Sequence, residues 1–331
     1  MKRARGKQRR DRIVVRDHRA GRTRIQYGEN DYMIRHNALL RGTTLMLALT
    51  LGFSCGDDDS STNPGNQPIR VPGDYATIEE AITAAKAGDT IELTEAMYSF
   101  DKALVIEAKT DLIIRGATDS FMRPVLQFGT GVGTDAISVE NTCTNVTIEG
   151  IEIEPAPGLT YRHGITIRGA GTEVRDCWIE DARSNGINLP GAVADVLIER
   201  NYLIRSGLFG VSCNSGADAV VLRNTIVDTG DCGLYSFESA PMMMRNIVVR
   251  SANWGIAVFG TTLPMITCNA LYENVTADYS PLTPPAVNDI QADPVFCTET
   301  TFSLLHTSPC TAENSVTCGA IGASDDVCEG S

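Results

Sequence analysis

Along the middle of the chain the apolar residues come in short bursts, as in Ile165-Thr166-Ile167, Val220-Val221-Leu222 and Ile247-Val248-Val249. None of these bursts has the i, i+3, i+4 spacing of an amphipathic helix, so the pattern predicts strands. The bursts also repeat. A glycine followed by an apolar residue recurs at Gly164, Gly186, Gly210, Gly233 and Gly255, at intervals of 22, 24, 23 and 22 residues. A second mark recurs at Asp176, Asn201, Asn224, Asn246 and Asn269, at intervals of 25, 23, 22 and 23, and Gly150 and Gly116 extend it towards the N-terminus. Several short strands per repeat suit a parallel β-solenoid, in which each turn buries its inward side chains on the turns above and below.

Leucine-rich repeats share the period, but their leucine framework and helical convex segments are missing. A left-handed helix built on hexapeptides would repeat every ~18 residues. The predicted fold is therefore all-β, a right-handed parallel β-helix. Inward asparagines at the corners would satisfy backbone groups and bond to one another from coil to coil, about 4.8 Å per rung, and they tolerate the left-handed backbone such corners need. Asp176 and the earlier glycines would substitute for asparagine. At the N-terminal end Thr77-Ile78-Glu79-Glu80 has capping-box spacing and predicts a short capping helix over residues 78–87, stopped by Gly88, with the first strand from Thr90. Four cysteines (Cys297, Cys310, Cys318, Cys328) crowd the C-terminal end and predict a disulfide-stapled cap over residues 285–331. Cys143, Cys177, Cys213, Cys232 and Cys268 lie in the repeats, so the count without Cys55 is odd and at least one thiol stays free.

Val71-Pro72-Gly73-Asp74-Tyr75-Ala76-Thr77-Ile78, running on to Ala87-Gly88-Asp89-Thr90-Ile91, resembles the opening of right-handed β-helix proteins of the pectate-lyase-like superfamily. Asp293-Pro294-Val295-Phe296-Cys297, Ser308-Pro309-Cys310 and Gly319-Ala320-Ile321-Gly322-Ala323 resemble the C-terminal segment of secreted bacterial members. The resemblance implies the fold and an association with carbohydrate. It implies no reaction: the esterase, polygalacturonase and epimerase motifs of that superfamily have no full counterpart. Asn224-Thr225 is followed by Ile226, and Asp325-Asp326 lies in the tail. His163-Gly164 echoes a polygalacturonase element, although a histidine before a turn glycine is also an ordinary turn residue.

Charge divides the chain. Residues 1–54 hold 13 of the 28 Lys and Arg and 4 of the 41 Asp and Glu, so the rest carries 15 basic and 37 acidic groups. A domain this acidic repels a phosphate backbone, and no nucleic-acid partner is expected. From Met33 the sequence has a basic stretch, an apolar run over 42–54 and then Cys55, the layout of a secretory signal. That run is too short to span a bilayer. Gly52-Phe53-Ser54-Cys55 resembles a bacterial lipobox, which implies that Cys55 is lipidated and that the mature protein is anchored at the cell envelope, at the outer membrane or cell surface. The expected organisation is an over-extended start over 1–32, a signal over 33–54, a polar tether over 55–70, the β-helix over 71–284 and the cap.

Stacking turns equal offsets into columns. Four residues after each mark come Glu154, Glu180, Arg205, Asp228, Arg250 and Glu273, which read as a surface salt-bridge column. One residue before each mark come Arg175, Arg200, Arg223 and Arg245. The plainer reading is that nearby acids such as Glu173 and Glu199 neutralise them; the functional one is a stripe for a linear polyanion such as a uronate-containing polysaccharide. After each repeat glycine Thr166, Asn188, Ser212, Tyr235 and Ala257 should point outward, with Phe237 and Trp254 nearby to stack on sugar rings. Asp135, Glu140, His163 and Arg168 form the best acid–base cluster on that face. No metal or cofactor is indicated, and a monomer is expected. Two functions stay open: a lipoprotein that binds polysaccharide or cell-surface glycan, degrading it if it is lyase- or hydrolase-like, or a non-enzymatic structural or adhesive protein of the envelope.

Overall fold

Each repeat delivers three short strands, and each strand pairs in parallel with its counterparts in the coils before and after. The computed structural model describes residues 67–117, 123–131, 133–283, 286 and 288–329; Cys55, the signal and nearly all of the tether lie outside them. Among the described residues sheet I has nine strands from Ile69–Val71 to Met265–Thr267. Sheet II has eight from Met97–Phe100 to Ala270–Tyr272, and sheet III eight from Leu104–Ile106 to Ala277–Tyr279. The coil is right-handed. Val174, Ile198, Val221 and Met243 of sheet I, Ile179, Leu203, Ile226 and Val248 of sheet II, and Ile165, Ile187, Val211 and Leu234 of sheet III fill its interior. A core of stacked β-branched and leucine side chains needs few aromatic rings, and only 6% of the residues are aromatic.

The repeat glycines are required by close approach. A Cβ on Gly210 would lie 2.4 Å from Ile226 Cγ2 and 2.7 Å from the carbonyl oxygen of Gly233. One on Gly233 would lie 2.1 Å from Val248 Cγ1 and 3.0 Å from the carbonyl oxygen of Gly255.

The asparagine ladder runs through the corner between sheets I and II. Asn224 Oδ1 accepts from the backbone N–H of Asn201 at 2.9 Å and from its Nδ2 at 3.0 Å; Asn246 Oδ1 does the same for Asn224 at the same distances. Asn269 Oδ1 does so for Asn246 at 3.0 Å each. Each Nδ2 also donates to an inward carbonyl: Val174, Ile198, Val221 or Met243. All four asparagines are fully buried. Asp289 closes the ladder by accepting from Asn269 N–H at 2.9 Å.

Two expectations about this corner are corrected. Trp178 pairs with Tyr202, which places Cys177, not Asp176, in the ladder; the 25-residue interval was one residue too long. The left-handed residue is also not the asparagine but the one before it: Asp176, Arg200, Arg223, Arg245 and Cys268 have φ between 53° and 60°. The second corner, between sheets II and III, repeats this with Asp181, Arg205, Asp228, Arg250 and Glu273, at φ 53° to 58°. Charges strictly alternate there. Arg205 forks onto Asp181 at 2.7 and 2.8 Å, and Arg250 onto Asp228 at 2.7 and 3.2 Å.

The capping box forms as expected, with Glu80 N–H donating to Thr77 Oγ1 at 3.2 Å and Thr77 N–H to Glu80 Oε2 at 3.3 Å. The helix Ile78–Ala84 is shorter than predicted, ending before Gly88, whose φ of +89° serves a turn. Ile78, Ala81 and Ile82 bury against the first coil. That coil begins earlier than the sequence suggested, because Ile69–Val71 already pairs with Thr90–Leu93.

The C-terminal segment lies along the outer face of sheet II. Phe302, Leu304, Cys310, Cys318, Ile321 and Ala323 pack on Tyr202, Ile204, Val227, Ile247, Val249 and Ala270. Strands Thr225–Val227 and Ile247–Val249 are therefore buried on both faces. Cys297 pairs with Cys328, but Cys318 reaches back to Cys268 in the solenoid and Cys310 is a free thiol. The staple thus joins the segment to the coil as well as to itself.

Asn224→Ala removes a buried acceptor and donor at once, leaving several backbone and amide groups unpaired; it should cost roughly 3–5 kcal/mol. Arg205→Ala, on an exposed column, should cost about 1 kcal/mol or less. Urea denaturation of both variants checks this, and similar losses for the two would contradict a ladder-centred account.

Candidate ligand-binding face

Sheet III carries the functionally varied face, in which Thr166, Asn188, Ser212 and Ala257 are buried, Tyr235 is half-buried, and the exposed surface comes from side chains on either side of them. Ile165, Ile187, Val211, Leu234 and Ile256 stack inward, so Thr166, Asn188, Ser212, Tyr235 and Ala257 stack outward as anticipated. Two further columns flank them. On one side stand Asp135, His163, Asn185, Phe209, Cys232 and Trp254, each two residues before the first inward Ile, Val or Leu of its coil in this sheet; on the other stand Glu140, Arg168, Asn214, Phe237 and Phe259.

Towards the N-terminal end this face is polar and tightly bonded. Arg162 forks onto Asp135 at 2.8 and 3.1 Å, and Thr166 Oγ1 donates to the same carboxylate at 2.8 Å. Ser138 Oγ donates to Glu140 at 2.6 Å, and Arg168 Nη1 reaches both Ser138 at 2.8 Å and Glu140 at 3.3 Å. Asn185 Nδ2 donates to Asn188 at 3.0 Å, while Asn185 N–H donates to His163 Nδ1 at 3.2 Å. Asp135 and His163 stand on one flank and Glu140 and Arg168 on the other, with Asp135 and Arg168 both near enough to act on the charge of His163. With Nδ1 accepting, the neutral imidazole carries its proton on Nε2. Burial lowers the His163 pKa; Asp135 works against this, and Arg162 and Arg168 work with it. Both carboxylates are committed to donors already in place, so the cluster is built to hold hydrogen bonds rather than to shuttle protons.

Towards the other end the face turns aromatic. Phe209 and Tyr235 stack at 4.2 Å with 8° between their planes; Phe259 lies 5.8 Å from Tyr235, and Trp254 meets Phe259 edge-on at 5.9 Å. Phe237 is 41% exposed. Polar groups and rings therefore share one straight face along the solenoid axis.

The family described as a right handed beta helix region matches residues 129–275. The chain is a right-handed parallel β-helix. No curated protein matches it. Among solved structures it is similar to a pectin methylesterase mutant in complex with a hexasaccharide, at 12% identity and a TM-score of 0.41, covering 64% of this chain and 80% of the other. It is also similar to a GH136 lacto-N-biosidase from Eubacterium ramulus, at 12% identity and a TM-score of 0.32, covering 65% of this chain and 63% of that one.

Elsewhere on this β-helix the arginine stripe is not one column. Arg175 pairs with Glu149 and Glu199 and bonds Glu149 at 2.6 Å and Glu173 at 3.1 Å. It belongs to an alternating ladder on sheet I, Arg70-Glu92-Arg115-Glu149-Arg175-Glu199. Arg200, Arg223 and Arg245 do stack at the left-handed corner, but the C-terminal segment supplies the counter-charge of the first two. Asp325 binds Arg200 at 2.6 Å and Arg223 at 2.5 Å, and Arg200 also holds Asp176 at 2.8 Å. Both arginines hold the Asp325 carboxyl below the usual range against the upward pull of burial. Gly322 N–H donates to the carbonyl of Arg245 at 2.8 Å. The segment thus lies against all three.

Sequence reasoning missed Asn185, Phe209 and Arg162. His163 and Trp254 were noticed beside their glycines; the same offset applied to every repeat yields Asn185, Phe209 and Cys232. It also indicated no metal. Glu152, Glu154 and Glu180 nonetheless present carboxylate oxygens all within 4.8 Å of one another on sheet II.

His163 gives the face a pH signature. Its folded pKa lies below the unfolded value of about 6.5, so its contribution is complete above that value and is lost as pH falls towards the folded pKa. His163→Gln should make unfolding free energy fall less steeply between about pH 7 and 5 than in the parent chain. Superimposable pH profiles for the two would contradict the buried neutral imidazole.

Proposed function

We propose that the outer face of sheet III binds a linear polysaccharide along the solenoid axis, with the protein held at the cell envelope by lipidated Cys55. The observation carrying this reading is the continuity of the face: the stacked pair Phe209–Tyr235 with Trp254 and Phe259 runs into the bonded polar cluster around His163 and Arg168. Rings offer flat apolar area to sugar faces, and fixed polar groups give register on a repeating ligand at low ordering cost. Rungs repeat every ~4.8 Å, so a repeating chain meets a similar spacing of contacts at each coil.

An acidic glycan is favoured. Arg162 and Arg168 stay partly exposed beside their internal partners, with side chains 43% and 35% exposed, and a guanidinium fork suits a uronate carboxylate. Arg200 and Arg223 contribute less to this than the sequence suggested, because Asp325 already engages them.

Affinity electrophoresis of the full chain through polygalacturonate tests the reading. The parent chain should be retarded, Tyr235→Ala and Arg168→Ala should each weaken retention about tenfold, which is roughly 1.4 kcal/mol, and Arg205→Ala should not. Mobility unchanged by any acidic or neutral glycan would instead favour the structural or adhesive role.

A further inference from the structure

The C-terminal segment covers sheet II only part of the way, and where the cover stops it leaves a cleft of about 620 Å³. The floor is sheet II: Glu152, Trp178 and Tyr202 from three successive coils, with Glu180 and Arg205 beside them. Residues 299–303, Ser324 and Asp326 form the roof.

Trp178 stacks on Tyr202 at 4.7 Å and 28°, and Phe302 comes down from the roof to 5.9 Å from the indole. Tyr202 is buried under the cover, but Trp178 is only partly buried and stands at its edge. Arg123 closes one side, its guanidinium 6.0 Å from the Tyr202 ring and its Nε donating to the Asp176 carbonyl at 3.1 Å. Polar groups here are unequally served. Glu180 is held by Trp178 Nε1 at 3.4 Å and Arg205 at 2.8 Å, and Glu154 by Gln127 at 2.9 Å. Glu152, in the coil next to Trp178, has no hydrogen-bond donor among the described residues. Burial first, then Glu180 and Glu154, raise its pKa. A half-buried carboxylate without a donor costs free energy that a ligand hydroxyl would offset.

We propose that this cleft is a second carbohydrate site, taking a neutral hexose ring that stacks at Trp178 and donates hydroxyls to Glu152. The roof hydroxyls of Thr300, Thr301 and Ser303 are within the same wall. Four carboxylates against two guanidiniums line the cleft, so a polyanion is repelled from it and its ligand differs from that of sheet III. The site does not rest on the sheet III reading, and shares no residue with it.

Saturation-transfer difference NMR on the full chain, with lactose and cellobiose as probes, tests the proposal. Saturation transfer to ring protons of at least one disaccharide is expected in the parent chain and in Tyr235→Ala. It should fall at least tenfold in Trp178→Ala and in Glu152→Gln. Glu152→Gln is the safer variant, because losing a desolvated charge should leave its Tm equal to or above that of the parent. No transfer in the parent chain, or transfer unchanged in a folded Glu152→Gln, overturns the proposal. So does a finding that calcium chloride alone binds at Glu152, Glu154 and Glu180 and neither disaccharide does.

Discussion

Everything in this molecule depends on coil-to-coil register, and the buried asparagine ladder is what makes register costly to lose. Hydrogen bonds between stacked strands tolerate a slip, because every residue offers the same N–H and C=O. A slip of one residue would still turn each inward Ile or Val to the outside, and it would also strand the amides of Asn201, Asn224, Asn246 and Asn269 in the core. Glycines set the spacing at the opposite corner, where a Cβ would meet the next coil's carbonyl. Between these two constraints the remaining positions are free to vary, and the outer faces carry the differences.

Those outer faces are put to three uses. Sheet I neutralises itself through an alternating Arg–Glu ladder in its N-terminal half. Sheet II is covered over its later coils by the C-terminal segment, which brings Asp325 to Arg200 and Arg223 and is tied back to the coil through Cys268 and Cys318. Sheet III keeps its polar cluster and aromatic strip open. Charge placement follows backbone geometry: the two corner columns occupy left-handed positions flanked by buried neighbours, so long charged side chains are what can leave the corner for water. The alternating signs of Asp181, Arg205, Asp228, Arg250 and Glu273 then help to hold the stack in step.

Much of this was legible in the sequence because a solenoid repeats its constraints. The repeat glycines, the four asparagines and the in–out alternation of sheet III each leave a mark every 22 to 24 residues. What was not legible came from irregularities. The extra residue between Asp176 and Asn201 disguised Cys177 as the ladder residue and merged the sheet I ladder with the corner arginines. The cover on sheet II was invisible because its contacts join residues about a hundred positions apart, such as Arg223 and Asp325. Phe209 and Asn185 were hidden only by reading two repeats instead of five.

The central claim is that the outer face of sheet III takes a linear glycan, while sheet I and the covered part of sheet II are satisfied from within. Hydrogen–deuterium exchange of the full chain with and without an acidic oligosaccharide tests it most directly. The account predicts added protection in the turns flanking sheet III, at residues 162–168, 184–190, 207–215 and 230–238, with sheet I unchanged. Protection confined to sheet I, or centred on Arg200 and Arg223 with release of residues 322–326, would contradict it.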